Sequence, residues 1–450
     1  MPSPGRGQAE WSTSAASAAP SPKPLPSTHA ATSSATPRPQ ATPNSTRRYG
    51  TPRQEEEEVT LLRIFGAVVV AALLIGGAGA STGLASASRS STVTAVDLGV
   101  LGGTFSFASA VSPTGQVVGE STTASGQIHP FSWTQAGGMV DLGTLGGSFS
   151  SAIAVSPSGQ VVGNSLLHGF DNHAFSWTQS GGMVDLGTLG GSDSYAGDVN
   201  ATGQVVGEST TSAGELHAFS WTQSGGMVDL GTLGGSSSFA LAVNASGQVV
   251  GYSTMAGESE AHAFSWTQAG GMVDLGTLGG TQSIAVDVSP SGQVVGNSSI
   301  VPDDPFVPTH AFSWTRKGGM VDLGTLGGDQ SLVEHVNGSG QVVGSSNLAP
   351  DGSFQAFSWT QAGGMVDLGT LGGDFSTAWD VNARGQVVGS ASLPDDATSH
   401  AFSWTQAGGI VDLGTLGGAG SEAFAVNASG DAVGSSDTAA GDTHATLWHT

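Results

Sequence analysis

Residues 152–186 read AIAVSPSGQVVGNSLLHGFDNHAFSWTQSGGMVDL, and this stretch decides the fold. Four short runs rich in valine, alanine and aromatics are separated by glycine-containing turns, the pattern of antiparallel strands. Ala152-Ile153-Ala154-Val155 is followed by the turn Ser156-Pro157-Ser158-Gly159, and Gln160-Val161-Val162-Gly163 forms a second strand. A longer loop leads to Ala174-Phe175-Ser176-Trp177. Gln179-Ser180-Gly181-Gly182 then turns the chain into Met183-Val184-Asp185-Leu186. Strand alternation places Phe175 and Trp177 on one face and the small Ala174 and Ser176 on the other. A bulky face and a small face let neighbouring copies interdigitate. Helix is disfavoured because glycine and β-branched residues interrupt every run long enough to hold one.

The same unit recurs along the chain. The VDLG aspartates are Asp97, Asp141, Asp185, Asp229, Asp274, Asp322, Asp367 and Asp412. The VVG glycines keep step from Gly119 to Gly389, with Gly434 in the variant DAVG, and so do the FSW tryptophans from Trp133 to Trp404, with Trp448 in TLW. A period of about 44 residues carrying four strands predicts an all-β, eight-bladed β-propeller of four-stranded blades over residues 91–450. The chain ends fit a ring. The body opens with a lone strand, Thr94–Leu98, and its final copy lacks a VDLG strand. Pairing the two completes the eighth blade and removes an open edge.

The strings HAFSWTQ-GGMVDLGTLGG and AVN-SGQVVG resemble the probable extracellular HAF-repeat family over residues 94–450. The resemblance implies export and a repeat domain, and implies no reaction and no catalytic residues. The chain departs from the pattern locally: Gln355 replaces the histidine in one unit, Pro130 follows His129, and the last unit reads HATLW.

Ahead of the repeats the composition changes. Residues 1–58 are rich in Ser, Pro, Thr and Ala and have no apolar period, so they are expected to be disordered. Residues 59–88 hold Arg63, the apolar run Ile64–Ile75, and the small-residue sites Ala78-Gly79-Ala80 and Ala85-Ser86-Ala87, the layout of a cleaved secretory signal. The uncharged stretch 64–88 reads alternatively as a membrane anchor. Either way the repeats lie outside the cytoplasm, secreted or at the cell surface. A translation start at Val59, just after Glu55–Glu58, would account for the long preceding segment.

From Ser91 onward three basic residues, Arg316, Lys317 and Arg384, face 30 acidic ones, a net charge of −27. Such a surface repels phosphate backbones, so nucleic acid is excluded as a partner. The chain has no cysteine, hence no disulfide or thiolate metal site, and no cofactor or metal is expected. The strand-leading histidines, such as His173 and His217, sit one unit apart, too far to share an ion with bonds near 2 Å. They are expected to make structural hydrogen bonds, and the VDLG aspartates to lock turns.

Positions that break the repeat are the functional candidates. Where four units place Ala before the first strand's valine, the other four carry Asp198, Asp287, His335 and Asp380. If that strand is innermost, these approach the central channel, where they would bind a cation or act as acid and base. The loop between VVG and HAF varies most, and contributes Phe170, Asp303, Asp304, Phe306, Phe354, Asp395 and Asp396 to one face, where repeat proteins bind partners. The leading expectation is a monomeric, non-catalytic propeller binding a protein, glycan or cell-wall ligand there. The alternatives are a carbohydrate-active or other hydrolytic enzyme with its site at the channel mouth, and a structural cell-envelope protein.

Overall fold

The four strands of the second unit run Ser150–Val155, Val161–Leu166, Asn172–Thr178 and Gly182–Asp185, within a few residues of the sequence expectation. They pair in order, each antiparallel to the next. The turn chemistry follows the residues. Gly159 N donates to Ser156 O at 3.0 Å, and Gly159 takes φ 85°, which a side chain disfavours. Ser156 Oγ accepts from Gln160 N at 3.1 Å and fixes the entry into the second strand. At the far turn Thr178 Oγ1 accepts from Gly181 N at 3.0 Å.

These strands belong to a computed structural model that describes residues 93–302, 308–349 and 352–450. No helix occurs among the described residues. The expected disordered segment 1–58 and the signal or anchor at 59–88 lie outside them. Four-stranded sheets recur throughout. Six stand alone, and the first and last units share a larger sheet, joined by a parallel bridge between Phe105 and Thr443. Thr94–Asp97 pairs antiparallel with Thr443–His449, with Ala95 opposite Trp448 and Asp97 opposite Thr446.

Successive units pack face to face, as the bulky and small faces require. Phe219 and Trp221 of the third unit meet Val162, Ala174 and Leu186 of the second. The equivalent cluster between last and first units joins Phe131 and Trp133 to Leu98, Val433, Ala445 and Leu447. Every HAF phenylalanine from Phe131 to Phe402 is fully buried. First strands of neighbouring units touch all the way round, the last with the first included, so the first strand is innermost. This stack of radially arranged sheets is the β-propeller architecture.

The repeated polar residues serve as locks. His173 Nδ1 lies 2.8 Å from Asp185 Oδ1, and the same carboxylate accepts from Gly187 N at 2.7 Å. The His–Asp pair recurs in most units. In the last unit the partner comes from the other end of the chain: His444 Nδ1 lies 2.9 Å from Asp97 Oδ1. Asparagines at the end of the first strand tie unit to unit, as where Asn200 Nδ2 donates to Asn244 O at 3.0 Å.

Candidate functional site

The four repeat-breaking residues sit on the innermost strands of units 3, 5, 6 and 7, and three of them meet. His335 Nδ1 is 3.0 Å from Asp287 Oδ2, and His335 Nε2 is 3.4 Å from Asp380 Oδ1. Asp198 makes no such contact with His335, although its charge still bears on the imidazole.

Each aspartate also has a second engagement that the repeat spacing did not reveal. Asp287 accepts from Val288 N at 2.7 Å and from Val336 N of the next unit at 2.9 Å. Asp380 accepts from Val381 N at 2.6 Å and from Val426 N at 2.8 Å. Asp198 does the same with Val199 N at 2.7 Å and Val243 N at 2.9 Å. The carboxylates therefore clamp adjacent inner strands through backbone N–H groups that would otherwise need water. His335 occupies the unit between two clamps, and its cation joins them.

Electrostatics follow from this placement. Partial burial opposes the charge on His335, but Asp287 and Asp380 outweigh it and push the imidazole up to about 10. Asp287 is disfavoured by burial, yet its ion pair and hydrogen bond with His335 and its two backbone donors bring it below the usual carboxylate range. Asp198 lacks that partner, and burial pushes it up to about 6 against its backbone bonds.

A second set of acids was not singled out by the repeat reading. Glu334, beside His335, is raised to about 7 by burial, and Glu208, opposite Tyr195 in its hairpin, to about 8. Burial raises Glu120 and Glu422 as well. A signal existed. The residue after each VVG changes from unit to unit (Glu120, Asn164, Glu208, Tyr252), while everything around it repeats. Asn164 uses this position to accept from Ala196 N of the next unit at 2.8 Å. Nearby inner-strand aromatics pack together, with Phe424 4.7 Å from Phe107 and 5.9 Å from Trp379.

These shifts set the sign of the pH dependence. His335 ionises near 6.5 in an unfolded chain and near 10 in the fold. Its contribution is complete below about pH 6.5 and lost as pH rises through about 10. Glu334 and Glu208 stay protonated to about 7 and 8 in the fold but ionise near 4.5 when unfolded. They penalise the fold progressively above pH 4.5. Asp287 acts oppositely, its stabilisation vanishing below pH 3.8. The melting temperature is therefore expected to be highest near pH 5 and to fall by pH 9, and a melting series in constant ionic strength checks this. The His335→Gln variant should show a shallower fall. An optimum at pH 8 or above contradicts the assignment.

The loop-face candidates are dispersed. Phe170 is 95% exposed, in a loop closed by Leu167 N donating to Asp171 O at 3.0 Å. Phe354, expected on the exposed loop, is instead half-buried, because the third strand of its unit begins there and pairs it with Asn347. Asp395 Oδ1 accepts from Ala397 N at 3.1 Å and Thr398 Oγ1 at 3.1 Å, holding its own turn. Asp396, at φ 53°, accepts from Asp374 N at 2.7 Å and Ser392 Oγ at 3.0 Å. Asp303, Asp304 and Phe306 lie outside the described residues.

No family model matches the chain, and no curated protein matches it. Solved structures do. Dipeptidyl peptidase 4 from Porphyromonas gingivalis aligns over 78% of this chain and 58% of its own, at TM-score 0.51 and 10% identity. The likeness is one of fold. The β-propeller domain of the Trilobed protease from Pyrococcus furiosus aligns over 69% of this chain and 96% of its own, at TM-score 0.46 and 10% identity. TolB from Acinetobacter baumannii aligns over 65% and 64%, at TM-score 0.34 and 10% identity. This chain thus spans under two thirds of the length of TolB and of the dipeptidyl peptidase. Propellers host many functions, so these neighbours assign none of their own activities to it. The resemblance to the HAF-repeat family rests on the quoted motifs.

Proposed function

We propose that this chain is an extracytoplasmic, non-catalytic eight-bladed propeller of HAF-repeat type, closed by its N-terminal strand, that binds a protein, glycan or cell-wall ligand through the variable-loop face. The observation that carries the binding role is Phe170, a large aromatic left 95% exposed at the tip of a loop that differs in every unit. Exposed aromatics at loop tips act as anchors for partners, and loops on a rigid scaffold are where binding residues concentrate. The channel aspartates support the non-catalytic reading, since each is engaged by two backbone N–H groups. Closure is supported by the Asp97–His444 pair and by Leu98 N donating to Ala445 O at 2.9 Å. Residues 59–88 are the proposed export signal.

The test is retention of purified residues 91–450 on isolated cell walls and on a glycan array. The Phe170→Ala variant is expected to reduce retention at least about fivefold, equivalent to about 1 kcal/mol, with stability changed by no more than about 0.5 kcal/mol. Unchanged retention refutes the loop-face role. A second reading, hydrolysis at the channel, is favoured by one observation: the Asp287–His335–Asp380 contact stands beside Glu334, an acid raised to about 7. Turnover of any glycoside or peptide ester that His335→Gln and Glu334→Gln both abolish would establish it instead.

A further inference from the structure

Seven of the eight units share a device that seals the joint with the next. The glutamine of the SGQVVG motif donates Nε2 to the serine of its own FSW strand at 2.8–3.0 Å, from Gln116–Ser132 to Gln386–Ser403. Its Oε1 lies against the turn glycine of the following unit. A Cβ placed on any of those glycines, Gly159 to Gly430, would stand 2.8–3.1 Å from that oxygen.

The eighth unit lacks the device. Asp431 replaces the glutamine and Leu447 the serine. Gly115, the glycine that the missing side chain would face, has nothing within 4 Å of a Cβ position. A cavity of about 320 Å³ opens at this seam, lined among others by Thr114, Trp133, Gln135, Asp431, Leu447 and His449. Asp431 is held in place from its own unit: it accepts from Asn427 Nδ2 at 3.0 Å and Ser429 Oγ at 3.1 Å, and His449 Nδ1 is 2.8 Å away. The cavity lies among the turns joining first to second and third to fourth strands, at the opposite end of the strands from the variable loops.

We propose that this seam cavity binds a neutral sugar, either a monosaccharide or the terminal ring of a glycan. Its volume is in the range of small-molecule sites. The Trp133 indole offers a flat apolar surface for the C–H face of a sugar ring. A carboxylate, an amide and a threonine hydroxyl supply hydrogen bonds for its hydroxyls. Asp431, on a body of net charge −27, disfavours anionic ligands. The site is independent of the loop-face reading, because Phe170 is at the other end of the strands.

The experiment uses residues 91–450 with methyl α- and β-glycosides of glucose, galactose, mannose and N-acetylglucosamine, and with glucuronic acid and glucose 6-phosphate. Saturation-transfer NMR and calorimetry report binding. At least one neutral glycoside is expected to bind at millimolar concentration, and more tightly than either charged sugar. Trp133→Ala should weaken it at least about tenfold. The double variant Asp431→Gln/Leu447→Ser, which installs the joint the other seven units use, should do the same. It melts below the parent because Leu447 leaves the cluster around Leu98, and circular dichroism at the assay temperature should match the parent's. The double variant leaves Phe170 and the variable loops untouched, so loss of sugar binding in it separates this site from the loop face. Absence of neutral-glycoside binding, preference for a charged sugar, or binding that survives the double variant would each overturn the proposal.

Discussion

A chain beginning at Val100 is expected to melt roughly 10 °C or more below one beginning at Ser91, at about 2 °C per kcal/mol for a domain of this size. The nine residues removed do more than add an edge strand. Leu98 is 5% exposed and sits in the cluster between last and first units with Val433, Ala445 and Leu447. Burial of one such side chain contributes about 1.5–3 kcal/mol. Val93 and Ala95 cover the cluster around Trp448, which is fully buried. The pairing of Thr94–Asp97 with Thr443–His449 and the Leu98–Ala445 bond are lost as well, at about 1 kcal/mol for each net backbone bond. Together these reach roughly 5 kcal/mol, the lower end of whole-domain stability. Removing the strand also exposes the edge of Thr443–His449, so aggregation on heating should increase. Differential scanning calorimetry of the two chains is the measurement. A difference of only one or two degrees would mean that last and first units hold together without the strand.

The parts of this architecture legible in the sequence are those that every unit must satisfy alike. Phe175 and Trp177 alternate with Ala174 and Ser176 because each unit buries both faces against neighbours, so period and strand order could be read directly. The lone strand at Thr94 was legible for the same reason, as the missing member of an otherwise complete set. Asp198, Asp287, His335 and Asp380 were visible as breaks in the pattern. The meeting of Asp287, His335 and Asp380 was not, because it depends on inner strands lying side by side and on backbone N–H groups of the next unit, which repeat spacing does not encode. The seam was also half-legible. DAVG and TLW are plain departures in the sequence, but Asp431 and Leu447 acquire meaning only from the empty space above Gly115, more than 300 residues away.

The VVG glycine is the clearest case of a residue whose position the sequence displays and whose reason only the structure supplies, and it leads to the second large effect. Gly163 stands opposite Ala152, where the first strand shifts register between Ala152 and Ala154. The shift is a bulge that tightens the local twist, and beside it the Ser151 carbonyl oxygen lies against Gly163. A Cβ on Gly163 would overlap that carbonyl oxygen and crowd Ala152 Cα. Neither is the end of a flexible chain, so the strands themselves must separate. The equivalent carbonyl oxygen lies against the VVG glycine of every unit, from that of Phe107 at Gly119 to that of Glu422 at Gly434. Gly163→Ala is therefore expected to destabilise by at least about 3 kcal/mol, the upper part of the range for overpacked sites. Gly126→Ala is the matched control. Gly126 has φ 80° and open space around it, so its substitution carries only the left-handed backbone strain of about 1–2 kcal/mol. Urea melts of the two variants, with m-values compared to confirm that the same surface unfolds, decide the matter. If Gly163→Ala costs no more than Gly126→Ala, the inner and second strands are free to part at this point. The bulge would then be a local convenience, and the period of the VVG glycines would need another cause.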